Sequence, residues 1–168
     1  IPHSENTTPN EISAKLARNT LYQSMMDCEL VLRFFAIRDA CSGMASGSLR
    51  QIFDKTMRRY SLLSESEVQR LKDEFRAVLH LVTDSLGPAF HHLSNGRPSR
   101  PLYDAILVAA IDFQDANFKN NASAIKSEFE SALLETESYE VLVGRGNTLE
   151  AIKQRVGLAR SILRKWIP

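Results

Sequence analysis

Apolar residues recur every three or four positions along nearly the whole chain, and no long segment alternates every second residue. That periodicity predicts an all-α fold. Two stretches depart from ordinary amphipathic patterning. Asp27 to Asp39 is apolar almost all round, with Glu29 and Arg33 embedded in it four residues apart, and Leu102 to Phe113 is apolar apart from Tyr103, Asp104 and Asp112. A helix that is apolar on every side belongs inside a domain. The expectation is a compact bundle of six or seven helices around these two central ones.

Residues 1–10 are polar, contain two prolines and read as a flexible lead-in or linker remnant. Residues 11–168 read as one helical domain. A short helix is expected over Glu11 to Thr20, and the central helix over Asp27 to Ala40 with Asp27 as its N-cap. Ser42-Gly43 and Ser46-Gly47 mark a connection. The next helix opens near Ser48 with a stripe of Leu49, Ile52, Phe53, Met57 and Tyr60. The one after it opens at Ser64, where Ser64 and Glu67 have capping-box spacing, and Gly87-Pro88 ends it. Pro101 suits the start of the second buried helix. An amphipathic helix follows Asn120-Asn121, and Tyr139 to Val143 reads as a short extension or a strand. In the last helix Asn147 is the expected cap, and Leu149, Ile152, Val156, Ala159, Leu163 and Trp166 form a narrow seam.

Composition narrows the function classes. With 43% hydrophobic and 24% charged residues and a net charge of +1, the chain has the make-up of a soluble globular domain and no global pull toward polyanions. No apolar run approaches the roughly 18–20 residues that span a bilayer, and no secretory leader is readable. Cys28 and Cys41 share one predicted helix, about 20 Å apart along it, too far for a disulfide. Both read as reduced thiols of a cytoplasmic protein. The start at Ile1 suggests a fragment of something longer.

Candidate chemistry is sparse. Glu29 and Arg33 have the acid-first spacing of an intrahelical ion pair, read as a structural pair that a buried helix must satisfy. Arg38 and Asp39, near the helix end, are expected to be partly exposed. His91-His92 is the single histidine cluster, with no further ligand at metal-site spacing, so neither a metal nor another cofactor is expected. With Phe90, Arg97 and Arg100 it could instead form a recognition loop. Asp104 to Glu140 carries eight acids against two lysines, whereas Gly144 to Pro168 carries six bases against one acid. Lys153, Arg160 and Arg164 fall on one side of the last helix, a candidate phosphate or partner contact together with Arg97 and Arg100. A solvated basic face paired with the acidic helices is the plainer alternative. Asp112 and Asp115 are a carboxylate pair without an acid, base or nucleophile to work with. No catalytic signature is present.

Glu29-Leu-Val-Leu-Arg-Phe-Phe-Ala-Ile-Arg-Asp39 resembles a recurring segment of the ParB/sulfiredoxin-like family that includes the GmrSD-type restriction proteins. Gly47 to Met57 is similar to that family's Gly-x-Leu-x-x-Phe-Leu-x-x-Tyr-Met helix. Phe90 and Arg97 to Ala109, centred on Leu102-Tyr103-Asp104-Ala105, is similar to its Phe-x-x-Ala-Leu-(Phe/Tyr)-Asp-Ala segment, and Thr148 and Arg155 also fit. The similarity covers most of residues 12–167. In that family such segments form a helical region behind an N-terminal catalytic part carrying an Asp-Gly-Gln-Gln-Arg type motif. This sequence has no such motif, so no catalytic residue carries over. The resemblance implies a helical accessory half of a nucleotide-dependent, DNA-targeting defence nuclease. Its partners would be the catalytic part of the same parent protein and DNA. A stand-alone nucleic-acid-binding module is the alternative.

Overall fold

The computed structural model describes residues 18–44, 47–113, 116–144 and 146–167, and within them the chain is helical without a strand. A lone antiparallel bridge joins His92 and Pro98. The chain divides into two compact units, residues 1–31 and 32–168. The described part of the first holds α1 (Thr20–Gln23) and the start of α2 (Met26–Cys41). The lead-in 1–10 and all but the last three residues of the expected Glu11–Thr20 helix lie outside the described residues.

Asp27 does not cap α2. The helix begins one residue earlier, and the Asp27 carboxylate, inside the first turn, accepts only from the neighbouring Cys28 N–H at 2.9 Å. A capping side chain must instead reach the amide two or three residues on.

The second unit continues α2 and adds α3 (Leu49–Tyr60), α4 (Glu65–Leu86), α5 (Arg100–Ala110), α6 (Ala116–Asn120), α7 (Ala122–Leu134), α8 (Thr136–Val143) and α9 (Leu149–Arg164), with a 3₁₀ turn over Ile111–Phe113. Seven of the described helices have eight residues or more, and the expected all-α bundle is present.

Side chains set most of the helix starts. Ser48 with Gln51 and Ser64 with Glu67 make reciprocal capping boxes on α3 and α4. Their bonds hold the exposed Glu67 carboxyl below its usual range. Ser99 accepts from Leu102 N–H to open α5, with Pro101 in the first turn. Gly87 closes α4 at φ 89°, a value that favours glycine. α9 is capped by Thr148, not Asn147: the helix starts at Leu149, so the Thr148 hydroxyl is the one within reach of Ala151 N–H, at 3.2 Å. Tyr139 to Val143 is helix, continuous with Thr136 in α8.

The core lies where the sequence is apolar all round. Every residue from Leu102 to Ala110 is buried, and α9 packs more extensively on α5 than any other helix does. Ile152, Val156, Ala159 and Leu163 supply the α9 side of that contact. The seam is wider than the 3-4 spacing implies, since Arg155 and Ile162 are buried as well. It also ends before Trp166, which lies beyond the helix and is 38% exposed, while Ile167 turns inward. On α2, Phe34 and Phe35 are buried and meet Phe75 of α4 and Tyr60 of α3 edge-on or tilted, with ring centroids 5.2–6.2 Å apart.

Candidate functional site

The charged residues of the apolar helices are the first place to look for chemistry, because a buried charge persists only where something satisfies it. Arg33 of α2 and Asp104 of α5 are both buried. The Arg33 guanidinium forks onto the Asp104 carboxylate, with Nε 3.2 Å from each oxygen and Nη2 donating to Oδ2. Glu29, the one-turn neighbour that spacing gives Arg33 on α2, is half-buried. The carboxylate that takes the fork stands 71 residues further on, on a different helix.

Arg155 of α9 is buried nearby. It donates through Nε to Val141 C=O at 3.1 Å and through Nη2 to Gly144 and Gly146 C=O at 2.8 and 3.1 Å. These carbonyls belong to the end of α8 and the turn behind it, where acceptors lack intrahelical donors. Burial lowers the Arg155 pKa, Asp104 raises it, and Arg33 lowers it again. The turn runs tight against α8: a Cβ at Gly144 would lie 2.1 Å from the Glu140 carbonyl oxygen.

A second polar network closes the C-terminal end of α2. Asp39, expected to be partly exposed, is fully buried. It accepts from Arg38 Nε at 3.0 Å, from Arg59 Nη2, and from the Tyr60 hydroxyl at 2.9 Å. Arg38 in turn donates to both oxygens of Glu74 at 2.7 Å and to the Tyr60 hydroxyl at 2.8 Å, with its guanidinium 4.9 Å from the Phe35 ring centre. Three donors compensate the Asp39 charge, and that satisfaction permits its burial. Burial pushes the Tyr60 hydroxyl pKa up, while Arg38 and Arg59 draw it down.

The basic candidates differ in what holds them. Lys153 and Arg164 are exposed on α9, whereas Arg160 has its Nε 2.7 Å from Asp112 Oδ2, and the adjacent Lys165 is held by Glu128. Arg97 and Arg100 are exposed at the start of α5. Asp112, which holds Arg160, follows the end of that helix, so about 18 Å of helix separates Arg100 from Asp112. Arg97 belongs to a tight turn in which its N–H donates to Asn95 Oδ1 at 3.0 Å.

No protein-family model matches the chain, nor does any curated protein or solved structure. Function therefore rests on the geometry.

His91 and His92 pack edge to face with centroids 4.7 Å apart, and His91 also lies against Phe90 and Tyr103. Burial, reinforced by His92, lowers the His91 pKa. Among the described residues no three His, Cys, Asp or Glu side chains gather as a metal site. Asp112 is committed to Arg160, and Asp115 lies outside the described residues. Cys28 is an exposed thiol; Cys41 is half-buried and its pKa is raised by that burial, against Arg160 and Lys153. No helix among the described residues is long and apolar enough to cross a membrane. Chemically, the two buried networks spend their charges on one another and on backbone carbonyls.

Proposed function

We propose that this chain is a helical accessory module of the kind that follows the catalytic part of ParB/sulfiredoxin-like, GmrSD-type defence nucleases, and that it packs on or links that part. The observation that carries the reading is the buried Arg33–Asp104 fork. Segment 29–39, the more specific match, and segment 102–105 meet in that fork, which turns Arg33 and Asp104 to each other inside the fold. Asp39, in the same segment, and Arg155, in the closing helix, are likewise buried in structural bonds. Such wiring suits a rigid scaffold whose role is to hold another domain.

The test is to read the coding sequence ahead of Ile1 and, where a ParB-like domain stands there, to measure whether that domain co-purifies with this one after the linker is cleaved. Co-purification supports the reading; an upstream sequence without such a domain overturns it. Nucleic-acid contact is the lesser reading; its exposed candidates are Lys153 and Arg164 on α9 and Arg97 and Arg100 at the start of α5, while Arg160 is ion-paired with Asp112. A mobility-shift titration in which binding weakens with salt and with Lys153→Glu and Arg164→Glu would favour it.

A further inference from the structure

α7 turns one face, Lys126, Phe129, Glu130 and Leu133, onto an open apolar cleft of about 270 Å³. Across it stand Leu86 at the end of α4, the turn that follows, and Leu102 and Ile106 of α5. Leu86, Leu102, Ile106 and Phe129 are buried, so the floor belongs to the core and only the mouth is open. Lys126 and Glu130 are exposed at that mouth. Among the described residues neither has an ion-pair partner. Lysine ahead of glutamate is the weaker order for a pair four apart on a helix, so each charge is available to something outside the chain. Leu134, next on the same helix, is 82% exposed.

We propose that this face is a symmetric contact between two copies of the chain. In a two-fold contact each copy offers the same patch, so the patch must be complementary to itself. The α7 face meets that condition. Antiparallel apposition of two α7 helices about the level of Glu128 places Lys126 of each copy opposite Glu130 of the other. Glu128 does not interfere, because its side chain is turned to Lys165. Two ion pairs then flank two apolar mouths stacked face to face, and Leu134 extends the apolar surface past the pairs. The contact is small and its charges lie at the rim, so the dimer is weak and salt-dependent.

Sedimentation velocity of the whole chain over a range of concentrations, at low and at high salt, tests this directly. The sedimentation coefficient should rise with concentration, and rise less at high salt. Lys126→Glu and Glu130→Lys should each weaken association about tenfold or more, because each replaces two attractive pairs with two repulsive ones. The double variant K126E/E130K should associate like the parent, since it recreates both pairs with signs exchanged. Both side chains are exposed, so thermal melts of the variants should overlay the parent's. A monomer at every concentration overturns the proposal. So does a dimer indifferent to the single reversals, or a double variant no better than the singles.

Discussion

The middle and the C-terminal end of α2 solve the same problem differently. At its middle Arg33 meets Asp104 in a pair between two buried helices, with both side chains at or below 10% exposure. At the C-terminal end Asp39 is fully buried, but its network reaches the surface through Arg59 and Glu74, whose side chains are 41% and 27% exposed. Losing one member of a pair buried between two helices leaves the other charge far from water, with little fallback in solvent. An open network has that fallback: a stranded arginine can turn to solvent, and Arg38 keeps Glu74 whatever happens to Asp39.

The largest effect should come from breaking the buried pair. Asp104→Ala leaves Arg33 buried without its carboxylate and should cost about 3–5 kcal/mol in urea denaturation. Asp39→Ala should cost less, about 1–3 kcal/mol by the same measurement, since Arg59 can rehydrate. An equal or larger loss at Asp39 would erase the distinction. Ser64→Ala removes the cap of α4, the helix that carries Glu74, and should cost about 1 kcal/mol, with amide exchange rising first in the opening turn of α4.

The smallest effect is pH-dependent. His91 packs against Tyr103, the neighbour of Asp104, and its Nδ1 is buried without a hydrogen-bond partner. Its folded pKa lies below the ordinary 6.5, so on acidification the unfolded chain takes up the proton first. His91 therefore contributes stability that is present above about pH 6.5 and lost as pH falls toward the folded value. Thermal melts between pH 8 and 5 should show that slope, and His91→Phe should flatten it.

Much of this was legible in the sequence because local rules govern it. Ser48 and Ser64 cap helices through partners three residues away, and Gly87 ends one through its own backbone freedom. The all-apolar runs of α2 and α5 marked the core because nothing but burial accounts for them. The fork of Arg33 on Asp104 was not legible. Spacing on one helix reports neighbours a turn apart, whereas Asp104 reaches Arg33 only once α5 has docked on α2. Asp39 looked exposed because it sits near a helix end, and what buries it is Tyr60 and Arg59 on another helix. The basic residues of α9 looked like one face in projection. Asp112, brought in from beyond α5, pairs with Arg160, which no local pattern predicted. The cleft beside α7 has contributions from α4, α5 and α7, and no local pattern announces it.

The central claim is that the charges inside α2 are fasteners of the fold. A double-mutant cycle on Arg33 and Asp104, followed by urea denaturation of four proteins, tests it most directly. The account predicts that Arg33→Met and Asp104→Leu are each strongly destabilising, and that the double variant, in which neither charge is stranded, is more stable than either single one. If the two losses simply add, or if either single change costs under about 1 kcal/mol, the pair does not hold these helices together and the claim fails.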